Sequence, residues 1–496
     1  MASVKKFIIH YSHFFTGQAV ATLFGFISFP IFTRVLTQEQ YGIMSFVATT
    51  IALVVAITKG GLSGGIIRFY TEYSETQDQR ALFASTIFFR GLIAAGVSVV
   101  VYLLVLQFAP HYIGLKDSYI PYLMIMSVCV FLQPMNLIVQ NVLRISGKTI
   151  LYNIVVVIQR GSPAILSILM LLYVVGQFSG YFIGVVLGEV IVALILFTWF
   201  FSTYKINLNS VSRKLALDLI GFGFPLLLSE VSYLLLAYVD RYLILAFQGE
   251  GALGVYSVGH NMAFYLSAVM MLPLTSSIVP LYITTYKNEG REKTEAFLSK
   301  VMHYMLVLLI PAWFGYHAVA RDLFIAVASE KYQYAATFST VILLGSFCYG
   351  MNSIFSAGLF LQKKTKQMSA ILFIGFVVNI SMNLLLLPKY GVMGAAISSL
   401  VGYIIVVALM AILSTRYITI KISGTHILYY CILSCGMLLV LTQIETGSHW
   451  LNLIVKVICG IVFIVSGVLY KEKEVFDRLI TIGRQGLSRF NKGASC

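Results

Sequence analysis

Apolar residues fall along the chain in runs of about twenty, separated by short polar breaks, which is the helix length that crosses a bilayer core of about 30 Å. Fourteen such runs are present, at 13–34, 42–65, 82–108, 119–141, 150–175, 178–201, 217–239, 253–284, 301–320, 334–361, 368–387, 391–414, 425–443 and 450–470. The eighth is long and carries Pro273 and Pro280. Barrel strands would read as alternating pieces of about ten residues, and none is found. The pattern predicts an all-α polytopic membrane protein of about 14 transmembrane helices.

Composition agrees. Of the 496 residues 11% are charged, against about 25% in soluble domains, while 59% are hydrophobic and mean hydropathy is +0.89. Soluble, disordered, collagenous and disulfide-dense classes are excluded. With the N-terminus placed inside, the inner segments carry 24 Lys and Arg and the outer loops six. Both termini are therefore expected in the cytoplasm. The net charge of +15 is spread over eight inner segments, which suits anionic lipid headgroups and argues against nucleic acid as a partner. His10, Ser12 and His13 interrupt any signal-peptide core, so the first run reads as a span. The six cysteines and eight histidines show no metal-ligand spacing, and no cofactor is expected.

The chain repeats itself. Gly180-x3-Gly184-x3-Gly188 in the sixth run parallels Gly394-x3-Ser398-x3-Gly402 in the twelfth, and Gly147-Lys148-Thr149 parallels Lys363-Lys364-Thr365. The expected organisation is an N-terminal six-helix lobe (1–203), a parallel C-terminal copy (204–415), transmembrane helices 13 and 14 (416–470) and a basic amphipathic tail (471–496) lying on the inner leaflet. Small residues at four-residue spacing read first as helix packing.

Six charges fall inside runs: Lys59, Arg90, Arg160, Lys456, Glu189 and Glu230. A charge at the helix centre costs about 2.5–3.5 kcal/mol on insertion scales. Lys59 and Lys456 lie near enough to run ends to snorkel. Arg160 and Glu189 either pair across neighbouring helices or line a polar cleft. Glu230 has no opposite charge nearby in its own run, which makes it, with Glu189, a coupling candidate. Buried cations outnumber buried anions, which favours an anionic substrate held by Lys59, Arg90 and Arg160. Tyr11, Tyr41, Tyr112, Tyr119 and Trp450 near run ends read as interfacial belts.

The order and spacing of several motifs resemble the lipid-linked oligosaccharide flippases of bacterial polysaccharide synthesis, within the multidrug/oligosaccharidyl-lipid/polysaccharide exporter superfamily. These are Ile31-Phe32-Thr33-Arg34-Val35-Leu36 with Gln40-Tyr41-Gly42, and Gly60-Gly61-Leu62 leading to Arg68-Phe69-Tyr70. Gly221 to Pro225, Asp240-Arg241-Tyr242 and Ala252 to Ser257 follow. The resemblance runs from about residue 10 to about 415. It implies transfer of undecaprenyl-pyrophosphate-linked repeat units (O-antigen, capsule or exopolysaccharide) from the cytoplasmic to the periplasmic leaflet of the bacterial inner membrane. It also implies alternating access through a cationic lumen, coupling to protons, sodium or the membrane potential, and polysaccharide polymerase machinery as a partner. Asp240 and Arg241 belong to the family pattern, with a local ion pair as the modest reading.

Three alternatives stand beside it. A drug–cation antiporter of the same superfamily has twelve spans and a carboxylate-lined pocket, whereas the first run here has no Asp or Glu. A peptidoglycan-precursor flippase also has fourteen spans, but only hydropathy and Lys59 match. A membrane glycan polymerase needs acid–base groups at the outer face, and the short outer loops hold no paired carboxylates. A transporter, not an enzyme, is expected.

Overall fold

A computed structural model describes residues 23–113 and 116–471 of the chain. The start of the first run and the amphipathic tail beyond Lys471 lie outside the described residues. The described residues are helical with no strand. The chain divides into two compact units, Met1–Ile283 with Val341–Tyr417, and Thr284–Thr340 with Ile418–Cys496.

The first unit opens with α1 (Leu23–Val35), α2 (Gln38–Lys59), α3 (Leu62–Phe69), α4 (Gln77–Ile113), α5 (Ile120–Ile145), α6 (Thr149–Leu169) and α7 (Ser179–Thr203). Next comes α8 (Arg213–Leu323), which Gly249 and Gly290 divide into three segments. The series α9 (Ala335–Gly350), α10 (Asn352–Phe355), α11 (Ala357–Leu361), α12 (Thr365–Tyr390) and α13 (Val392–Ser414) follows. Among the described residues twelve helical stretches are long and apolar enough to cross a membrane, two of them longer than a single crossing. Within the described residues every apolar run lies on helix, the second across α2 and α3, the tenth across α9 to α11, and each of the others on one helix or helical segment of this series or on α14 and α15 of the second unit.

Local chemistry sets the ends. Thr37 opens α2 with a capping box: its hydroxyl accepts from the Gln40 N–H at 3.2 Å, and the Gln40 side chain accepts from the Thr37 N–H at 3.0 Å. The second run, read as one span to residue 65, stops at Gly60 and Gly61, where φ is +54° and +72° and the left-handed backbone ends α2. The seventh run does not stop at residue 239. Its helix continues through Asp240 and Arg241 to Gly249 (φ +82°), because both charges find partners inside the protein. The tenth run, expected as one helix, is broken into α9, α10 and α11 by turns at Met351 and Ser356.

Helix faces sort by environment. On α4 the residues Ile93, Val97, Val100 and Leu104 share an exposed face, while Phe83, Ala84, Ile87 and Ala95 are buried. Their buried set joins Leu62, Ile66, Met135, Val142, Val192 and Leu219 in one core. Such an apolar outer surface belongs against lipid. Where no hydrophobic force separates helix from tail, close packing decides association. Both small-residue stripes pack on the preceding helix. A Cβ on Gly184 would lie 2.3 Å from the Ser167 Cα, and one on Gly394 2.4 Å from the Leu386 oxygen.

In the second unit, the third segment of α8 is accompanied by α14 (Gly424–Thr442) and α15 (His449–Lys471). Its buried polar knot is Asp322, which accepts from Lys456 at 2.8 Å and contacts His449 at 2.8 Å and Asn452 at 3.4 Å. Lys456 therefore does not snorkel; its partner lies 134 residues away.

A close backbone contact in the first unit joins α2 to the second segment of α8. A Cβ on Gly42 would lie 2.0 Å from the Glu250 carbonyl oxygen, and one on Gly254 1.9 Å from that of Gln38. Gly42→Ala is expected to destabilise the protein by about 1–3 kcal/mol, the usual overpacking range. Gly96→Ala, which meets nothing within 4 Å, is expected to be neutral. Unfolding midpoints in detergent check this, and equal midpoints for the two variants would refute the close approach.

Candidate functional site

The site is organised by a polar seam between α2 and α8. Tyr41, Ser45 and Thr49 lie one turn apart on one face of α2. Tyr41 accepts from the Asn261 amide at 3.0 Å, Ser45 from the Ser257 hydroxyl at 2.7 Å, and Thr49 from the Arg241 guanidinium at 2.9 Å. Thr50 and Tyr242 share a hydrogen bond of 3.0 Å beside the last of these. At the other end of α2, Lys59 donates to Glu230 at 2.5 Å. Two residues further, a Cβ on Gly61 would lie 1.9 Å from the Gly223 oxygen, so backbone meets backbone there.

On one side of the seam lies a charged cavity of about 420 Å³, walled by α1, α6, α7 and the first two segments of α8. It contains two guanidinium groups, Arg160 and Arg241, with His260, Asn261 and three tyrosines, Tyr181, Tyr238 and Tyr265. Among the described residues no Asp or Glu lines it. Arg241 is 7% exposed. Its Nη1 donates to Thr49, its Nη2 is 3.2 Å from His260 Nδ1, and its plane lies 4.7 Å over the Tyr238 ring. Its Nε is buried without a hydrogen-bond partner. Arg160 is exposed to the cavity and makes no ion pair or hydrogen bond among the described residues. An acceptor anion is what two such forks lack.

The opposite side of the seam faces an apolar cavity of about 800 Å³, lined by residues such as Val54, Val97, Val101, Val105, Leu123 and Leu245. Lys116 and Tyr119 stand in its wall. Both donate to Glu250 at the Gly249 turn. The Lys116 charge is thus neutralised and the cavity remains an apolar surface.

The residues singled out in the sequence separate into distinct environments. Arg160 lines the charged cavity. Lys59 does not stand free for an anion, and Glu230 is not unpaired; they neutralise each other across 171 positions. Arg90 packs against the Gly60 turn, with Nη2 3.6 Å from a Cβ there and a buried, unpartnered Nη1. Glu189, 6% exposed, is held by amides instead of by Arg160: Gln133 donates at 3.1 Å and Asn136 at 3.0 Å. Asp240 and Arg241 form no side-chain pair, because successive helix residues point about 100° apart. Asp240 accepts instead from the Tyr256 and Ser399 hydroxyls and the Arg241 N–H. Arg241 follows the seventh run, and its entry into the cavity has no local signal beyond the turn-by-turn row Tyr41, Ser45, Thr49.

Removing one partner of the Lys59–Glu230 pair is expected to cost more than removing both. In a double-mutant cycle of Lys59→Gln and Glu230→Gln, a coupling of about 1 kcal/mol or more is expected in unfolding free energy, tempered by the 37% exposure of the Glu230 side chain. Additive single effects would remove the pair from the account.

Comparison with known proteins was informative on both fold and family. The chain is 23% identical over 430 residues to an uncharacterized membrane protein of Methanocaldococcus jannaschii, covering 81% of this chain and 82% of that protein. It is 21% identical over 274 residues to a probable low-salt glycan biosynthesis flippase of Haloferax volcanii, covering 54% and 57%. Its fold is like that of a solved structure of the lipid II flippase MurJ in an inward closed conformation, with TM-score 0.77, 17% identity, and 95% and 100% of the two chains covered. Residues 10–285, more than half the chain, match the model of the polysaccharide biosynthesis protein family, and the protein belongs to that family.

Proposed function

We propose that this protein is a flippase that moves a lipid-linked oligosaccharide, carried on undecaprenyl pyrophosphate, from the inner to the outer leaflet of the bacterial cytoplasmic membrane. One observation carries the reading: the charged cavity presents Arg160 and Arg241 without a lining carboxylate. A pyrophosphate offers oxygens to both forks, and Tyr181, Tyr238 and Tyr265 offer ring faces and hydroxyls to sugars. The apolar cavity across the seam offers surface for the isoprenyl chain. An amphiphile needs both kinds of surface, and the first unit has both.

The family assignment supports a role in polysaccharide biosynthesis, and the named Haloferax relative is a probable glycan biosynthesis flippase. In this reading the substrate is exposed to alternate sides by loosening the α2–α8 seam at one end and then the other. An inside-negative potential favours outward movement of an anion by about 2.3 kcal/mol per charge per 100 mV, so the potential is the proposed driving force. A cation antiporter would need a carboxylate in the cavity, and none lines it.

The test uses the full-length protein in liposomes with a fluorescent undecaprenyl-pyrophosphate oligosaccharide. Wild type is expected to flip it, and Arg160→Ala and Arg241→Ala to slow flipping about tenfold or more, since each removes a charge-assisted contact. Arg160→Lys is expected to keep part of the rate. If wild type leaves the lipid in place, or both alanine variants match it, the proposal is lost.

A further inference from the structure

The second unit contains a basic pocket that the proposed transport cycle does not use. Its volume is about 330 Å³, and it lies between the third segment of α8, the loop before α14, the start of α14 and the end of α15. Four basic residues converge on it, His303, Lys421, His426 and Lys471, and among the described residues no carboxylate lines it. The His303 and His426 rings are 4.9 Å apart. The loop that carries Lys421 is pinned from behind: the Thr419 N–H donates to Glu295 and the Lys421 N–H to Ser299, both at 2.9 Å. Glu295 is already engaged by Arg291 at 2.7 Å. α14 starts at this wall without a side-chain cap, since the Ser423 hydroxyl bonds to Thr425 at 2.8 Å instead. Its first N–H groups and positive dipole end add to the same field.

Two ammonium groups and a helix N-terminus around one hollow make a positive field that an anion would lower, and the two imidazoles offer ring N–H donors to it. The remaining wall is apolar, with Leu306, Ile422 and Ile427. We propose that this pocket binds a phosphate-bearing anion, held by Lys421, Lys471 and the His303–His426 pair. The positive-inside reading puts Lys421 and Lys471 at the cytoplasmic surface, where anionic phospholipid headgroups are concentrated. A phospholipid headgroup and free phosphate share the recognised chemistry. This site is independent of the flipping proposal, being built from other helices and other residues.

Anything that binds only the folded protein raises its unfolding midpoint, which gives the assay. Purified full-length protein in neutral detergent is titrated with dihexanoyl phosphatidylglycerol, dihexanoyl phosphatidylcholine and inorganic phosphate. Phosphatidylglycerol is expected to raise the midpoint, phosphatidylcholine to do so much less. The apparent affinity is expected to fall about tenfold or more in Lys421→Gln/Lys471→Gln and in His303→Gln/His426→Gln. Lys363→Gln/Lys364→Gln, a basic pair of the first unit, should respond like wild type. Inorganic phosphate matching the lipid identifies the free anion as ligand, and a response to the lipid alone identifies the headgroup. No shift with any probe, or unchanged affinity in both the lysine and the histidine variants, would overturn the site.

Discussion

A charge in hydrocarbon must find its partner inside the protein, and most of the architecture described above follows from that requirement. Lys59 meets Glu230, Lys456 meets Asp322, and Glu189 is held between two side-chain amides. Each closes a contact between helices that local propensity alone would leave unspecified. Once these partners are assigned, Arg90, Arg160 and Arg241 stand inside the spans without an ion pair among the described residues. Two of the three stand in one cavity. Guanidinium charge is therefore concentrated at that cavity.

The α2–α8 seam gives that concentration its form. Glycines let the backbones touch near both ends, and hydroxyl and amide contacts fill the turns between them. Thr49 with Arg241 and Thr50 with Tyr242 are successive contacts on the same two helices. One contact belongs to the charged cavity and the next to the apolar one, because adjacent helix residues face different directions. A single helix pair thus separates a place for charge from a place for hydrocarbon. Close backbone contacts and small hydroxyl bonds are also contacts that can part and re-form without stranding a charge. The Lys59–Glu230 pair is the exception, and separating it carries a desolvation cost.

The second unit obeys the same rule differently. Lys456 is satisfied at Asp322, while four basic groups stand around the hollow beside the start of α14 and the end of α15. Charge there is cheap because water and headgroups are near. The two basic sites of the protein thus differ in kind, one among the first unit's spans and one at helix ends.

Hydropathy made the helices legible because span length and apolarity are local properties: within the described residues every run lies on helix, although the second and tenth are divided by turns. The small-residue stripes were likewise readable as packing, since four-residue spacing puts them on one face. Run boundaries failed where a local cue had a distant answer. Asp240 and Arg241 look like the end of a span, yet Tyr256, Ser399 and Thr49 satisfy them within it. The pairing of charges was not legible at all. Lys59 and Glu230 are 171 residues apart, and Arg241 and Thr49 are 192 apart. The amino-acid sequence by itself determined that the chain crosses a membrane many times and that six charges fall inside its apolar runs. Only the tertiary structure decided which charges cancel and which two remain to face a cavity, because that depends on which helices are neighbours and on the direction each side chain leaves its helix.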